Sequence, residues 1–160
     1  MKNIVIEILN EVFVDWKFYD KKNTWLIEND FTVVLCQYQK SRHSNAFYLN
    51  LGIIIKPMIA SKIRSYKYEH SHLINRYSRL YDDHSIYDIE DKEFLEYNRL
   101  KKELTPMINM IKLSLLPYLE SIIKFNNIKI KFDELLNSGW WLQNSTEEDI
   151  RKNLRSFANR

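Results

Sequence analysis

The sequence predicts an α+β domain: an antiparallel sheet of about three to five strands in the N-terminal half, packed against several helices drawn mainly from the C-terminal half. Three observations carry this. Phe47 to Ile55 places apolar side chains at every second position, the period of a half-buried strand. The strand-like runs around it follow one another at short spacing, whereas parallel pairs need long crossovers. After about residue 70 the apolar spacing becomes helical.

The elements read as follows. Ile4, Ile8, Leu9 and Val12 recur at helical spacing, and Asn3, Glu7, Asn10 and Glu11 fill the other side, so 2–14 is an amphipathic helix. Residues 24–28 have strand composition. Asn29-Asp30 fits a tight turn, although without glycine. Phe31 to Gln39 is β-rich, and Lys40 to Asn45 is a polar loop. In the strand from Phe47, the residues Phe47, Leu49, Leu51, Ile53 and Ile55 share one face. Tyr48, Asn50, Gly52 and Ile54 share the other. Lys56-Pro57 ends the run. Glu93 to Leu104 sets Phe94, Tyr97, Leu100 and Leu104 on one side of a helix, with Arg99 and Glu103 one turn apart outside. Thr105-Pro106 is a cap and first-turn proline. The helix it opens runs toward Lys124, kinked or restarted at Pro117, and its apolar residues lie nearly all round, as in a buried central helix. Ile128, Ile130 and Phe132 alternate like a short edge strand. Asp133 to Ser138 reads as a helical turn closed by Gly139, and Ser145 with Glu148 as a capping box for a last helix, about 146–157.

A chain of 160 residues is one domain, 1–160, large enough to fold without a disulfide or a metal. The lone cysteine, Cys36, excludes an intramolecular disulfide and points to a reducing, cytoplasmic setting. Glu7, Asn10 and Glu11 break the apolar N-terminus, which reads as a mature helix rather than a signal peptide. No stretch has the uncharged apolar length of a membrane span. The two glycines, Gly52 and Gly139, lie far apart. A P-loop or a dinucleotide turn needs clustered glycines, so no nucleotide cofactor is expected.

The net charge of +3 is too small to argue for nucleic acid by itself. Its distribution is more informative. Lys62, Arg64, Lys67, Arg76 and Arg79 make 61–80 basic, and seven acids make 81–96 acidic. Two solvated faces are the plain explanation. The sharper one is an acidic patch of Asp82, Asp83, Asp88, Glu90 and Asp91 that meets a basic partner.

A run from Phe18 to Trp25 leads into a strand ending Gln37-Tyr38-Gln39-Lys40-Ser41, followed by Phe47-Tyr48-Leu49-Asn50-Leu51-Gly52-Ile53. His72 and Arg76 come downstream, then Leu116-Pro117-Tyr118. This pattern resembles the bacterial family known as domain of unknown function 4304. It departs from that family at Trp16-Lys17-Phe18, where the family carries a glycine. The resemblance implies a fold and little chemistry. By analogy with small proteins of this kind, it also implies a setting concerned with toxins and self-protection.

Five groups of residues are candidates for chemistry. His70 and His72 would share a face on a strand, but His43 and His84 do not complete a zinc spacing, so solvent or capping histidines are the better reading. Cys36 lies in an apolar strand and reads as a small buried hydrophobe, not a nucleophile. His72 and Arg76 share a face on a helix and, with Gln37, Gln39 and Asn50, form either a polar pocket or a structural network. Trp140-Trp141 offers one core residue and one binding residue. Basic residues interleaved with tyrosine, Arg64 to Tyr68 and Arg76 to Arg79, could stack on and neutralise single-stranded nucleic acid, a reading that the acidic segment beside them weakens.

The expectation is a non-enzymatic protein-binding module, such as an immunity protein that neutralises a toxin, with no catalytic, metal or cofactor residues. The rivals are a nucleic-acid-binding component and a small hydrolase built on His72.

Overall fold

The computed structural model describes residues 4–42, 46–59, 65–77, 87–88, 97–124 and 128–156. The chain is α+β, as expected. A first helix, α1 (Ile4–Val12), precedes four strands: β1 (Lys17–Tyr19), β2 (Thr24–Glu28), β3 (Thr32–Lys40) and β4 (Ala46–Ile55). Then come β5 (Leu73–Arg76), β6 (Tyr87–Asp88), α2 (Tyr97–Glu103), α3 (Thr105–Met110), α4 (Leu116–Ile123), α5 (Ile128–Asn137), β7 (Trp141–Leu142) and α6 (Glu147–Ser156). The strands form one antiparallel sheet in the order β1-β2-β3-β4-β5-β7, with β6 also paired to β4. It holds seven strands among the described residues, more than the composition predicted, because β6 and β7 are two residues each.

The β2–β3 hairpin closes without glycine because Asn29 supplies the turn itself. Its Oδ1 accepts the N–H groups of Phe31 (2.8 Å) and Thr32 (2.6 Å), and its Nδ2 donates to the Ile123 carbonyl of α4 at 2.7 Å. The turn is thereby tied to the helical layer.

The helices pack on one face of the sheet. Val5, Ile8, Leu9 and Val12 of α1 meet Val34, Cys36, Leu49, Leu51, Ile53 and Leu73, together with Ile111, Leu115, Leu119, Phe132 and Ile150. Each such side chain, once buried, contributes about 1.5–3 kcal/mol. Tryptophans bridge the layers with their N–H groups satisfied: Trp25 donates to Asn10 at 2.8 Å, and Trp140 to the Tyr118 hydroxyl at 3.1 Å.

Several expectations need correction. The segment at Ile128 is helix α5, not an edge strand: Ile128, Phe132 and Leu135 are its buried residues, a helical spacing that the alternation at Ile130 disguised. Ile130 itself is exposed. The helix before Pro117 is not buried all round, because Leu113 projects to solvent while Met107, Ile111, Leu115 and Leu119 face the sheet. At Pro117 the helix restarts, as expected, with the proline in the first turn of α4. The chain widens into a π turn at Ile111–Leu115, where the Leu116 N–H returns to the Ile111 carbonyl, just ahead of the residue that has no N–H to give. The final capping box is Thr146 with Asp149, one residue beyond the expected pair: Asp149 N–H donates to Thr146 Oγ1 at 3.1 Å.

Candidate interaction face

The other face of the sheet has no α-helix on it among the described residues; the 3-10 turn Tyr68–His70 lies against β3 and β4 there. At one end Leu26, Val33, Leu35 and Ile54 are covered by Ile59, Tyr66 and Tyr68. The residues of this face follow from register. Tyr19, Thr24, Gln37, Asn50 and Arg76 lie side by side across β1 to β5. Gln39 pairs with Tyr48 next to this row. On its other side runs Leu26, Leu35, Gly52, Ile74 and Trp141. Paired residues in an antiparallel sheet point to the same side, so these rows form one surface.

Asn50 organises it. Its side chain is nearly buried and both its ends are used. Oδ1 accepts from Arg76 Nε at 3.1 Å, and Nδ2 donates to Gln39 Oε1 at 2.7 Å. The Arg76 guanidinium lies over the Tyr48 ring, 4.4 Å from its centroid, so one neighbour fixes its edge and another its plane. Gln37 stands opposite Asn50. Four of the five residues expected to form a polar pocket, Gln37, Gln39, Asn50 and Arg76, therefore come together, as a surface strip.

His72 does not join them. The expectation that His72 and Arg76 share a helix is corrected: Arg76 ends β5 and His72 immediately precedes that strand. His72 is buried, and its Nδ1 accepts the Ile55 N–H at 3.0 Å. Burial pushes its pKa below the ordinary histidine value, in keeping with a neutral ring that accepts a backbone proton. It is a clamp between β4 and β5. His70 Nδ1 likewise accepts the Lys67 N–H at 3.3 Å. Cys36 is fully buried, which pushes its thiol far up and keeps thiolate chemistry out of reach.

The tryptophan pair divides. Gly139, at φ 84°, ends α5 in a left-handed turn in which Trp140 N–H reaches back to the Leu135 carbonyl at 3.1 Å. That turn sends Trp140 into the core at 2% exposure and leaves Trp141, opposite Ile74, at 50%. Any surface contact thus falls to Trp141. Of the acidic candidates, Asp82, Asp83, Glu90 and Asp91 lie outside the described residues. Asp88 is described by its backbone alone, paired with Ala46.

Tyr48 was the residue that sequence reasoning left out of the strip. The alternation of β4 already puts it on the side of Asn50, and an arginine on the adjacent strand β5, on the same face, is the missing signal. Gly52 has a separate role: a Cβ there would overlap Ser71 Oγ, so the Asn50-Leu51-Gly52 run joins a polar anchor to a close approach.

The fold and this face define an α+β protein with one sheet side covered by α-helices and, among the described residues, an amide–arginine–aromatic side without one. The family model for a domain of unknown function, DUF4304, matches residues 10–121, and the chain belongs to that family. The match takes in the last residues of α1, β1 to β6, α2, α3 and most of α4, and stops before Trp140-Trp141. Neither the curated proteins nor the solved structures gave a match. No helix among the described residues is long and apolar enough to cross a membrane.

Proposed function

We propose that this chain is a non-enzymatic protein-binding module that masks a partner, with an immunity protein that neutralises a toxin in the cytoplasm as its specific form. One observation carries the reading: a sheet face without an α-helix among the described residues presents Arg76, Gln39, Tyr48 and the exposed Trp141 together, and the arginine is already held in place. Arginine and tryptophan dominate the energetics of protein interfaces, and groups fixed before binding lose little entropy on association. The titratable groups that a hydrolase would use support the same reading, since His72 Nδ1 is committed to the backbone and Cys36 is sealed in the core.

The test is capture of a partner by the tagged chain from its native host, followed by reconstitution from purified components. The expected result is a stoichiometric complex in which the partner's own activity is silenced. A purified chain that turns over substrate by itself, or binds nucleic acid with a steep salt dependence and no protein partner, would overturn the proposal.

A further inference from the structure

We infer that the Arg76–Asn50–Gln39 network is a receptor for a single carboxylate carried by an acidic segment of a protein partner; this rests on the protein-binding reading above and names what the face recognises.

The chemistry follows from the polarity of the network. Arginine has donors and no acceptor, so Asn50 must turn Oδ1 toward Arg76 Nε, as it does at 3.1 Å. Nδ2 of Asn50 then points the other way and must find an acceptor, which is Gln39 Oε1 at 2.7 Å. Both amide oxygens are spent inside the network. The groups these three side chains leave outside the network are N–H donors: the two Nη groups of Arg76 and Nε2 of Gln39. A surface of donors selects a ligand of acceptors. The Tyr48 ring, 4.4 Å from the guanidinium carbon, holds the fork flat, the geometry in which it meets a carboxylate with two parallel bonds.

Charge points the same way. Lys17 and Lys56 on this side share Glu28, at 2.9 and 2.6 Å. Arg76 has no carboxylate within ion-pair reach among the described residues, and its charge is answered only by a ring face and an amide oxygen. A nucleic-acid strand calls for several unpaired cations in succession, one for each phosphate neutralised. One oriented guanidinium flanked by neutral amides fits one carboxylate.

The experiment titrates the isotope-labelled full chain with a capped hexaglutamate peptide, with inorganic phosphate and with a short oligothymidylate. It follows the Arg76 Nε–H and Gln39 side-chain NH2 signals. The peptide is expected to shift both signals saturably, and phosphate and oligothymidylate to bind more weakly. Gln39→Glu keeps an oxygen for Asn50 but replaces the outward N–H2 with a second oxygen, and is expected to weaken the peptide by about tenfold, the order of one charge-assisted hydrogen bond. Arg76→Lys keeps the charge but loses the fork and is expected to lose most of the affinity. Because Gln39 is exposed, its variant folds even if Arg76 variants do not. Saturation by peptide that is insensitive to Gln39→Glu, no saturable shift at either side chain, or tighter binding of phosphate or oligothymidylate would each overturn the inference. None of these depends on whether a natural partner has been captured, so failure here is distinct from failure of the protein-binding reading.

Discussion

Asn50 on β4 and Arg76 on β5 are register partners whose side chains are joined at 3.1 Å, the amide oxygen of one receiving Nε of the other. Asn50 is nearly buried, so its bonds form where water does not compete. Asn50→Ala removes the partner of both Gln39 and Arg76. The expected cost is about 1–3 kcal/mol, the penalty for unmade buried hydrogen bonds. Urea denaturation of the two proteins measures it, and a loss within error would mean that Asn50 does not anchor the strip.

Gly52 and Ser71 make a second cross-strand test. A methyl at Gly52 runs into Ser71 Oγ and presses on Leu35, and overpacking of this kind costs about 1–3 kcal/mol. Ser71 Oγ is buried without a hydrogen-bond partner, so Ser71→Ala alone is expected to cost little. The double variant should recover much of the Gly52→Ala loss. Additive single effects in thermal unfolding would show that Ser71 is not what confines position 52.

The tryptophans should separate cleanly. Trp140→Ala empties a core site and leaves Tyr118 without its donor, an expected loss of about 3–5 kcal/mol. Trp141→Ala removes an exposed ring and should stay within about 0.5 kcal/mol. Chemical denaturation of both variants checks the division. A large loss at Trp141 would make it structural rather than a contact residue.

His72 gives a pH dependence of known sign. Burial lowers its folded pKa below the ordinary 6.5, so below that value the unfolded chain binds the extra proton and the folded chain does not. Stability is therefore complete above the unfolded value and falls with acidification through the window down to the folded pKa. His72→Asn keeps an acceptor in the place of Nδ1 and removes the titration. The stability difference between the wild type and this variant should shrink the wild-type advantage as pH falls from about 7.5 to about 5. A difference that does not change with pH would mean that folding leaves the pKa of His72 where it stands in the unfolded chain.

Much of this was legible in the chain, and what was not has physical causes. The alternation in β4 assigned both faces correctly, because a period of two leaves no freedom about which side chain faces which way. Gln37, Gln39 and Asn50 therefore came out together. His72 and Arg76 were put on a helix because four residues apart is one helical turn. Four is also an even number, so a strand sets them on the same side as well. Only the β4–β5 register distinguishes Arg76, level with Asn50, from His72, beyond the end of the ladder. The helix α5 was hidden because Ile128, Ile130 and Phe132 fit both periods, and its burial against α4 and the sheet decided between them. Two-residue strands such as β7 are set by tertiary pairing and leave no local signal.

The most direct measurement is calorimetric titration of the captured, purified partner with the wild-type chain, Arg76→Glu, Trp141→Ala and Leu113→Ala. The last truncates an exposed residue of the helical layer and serves as the control. If this sheet face binds the partner, Arg76→Glu and Trp141→Ala should each weaken the complex by about thirtyfold or more, a hot-spot loss of about 2 kcal/mol, while Leu113→Ala binds as the wild type does. Equal affinities for the wild type and both face variants, or a loss confined to Leu113→Ala, would contradict it.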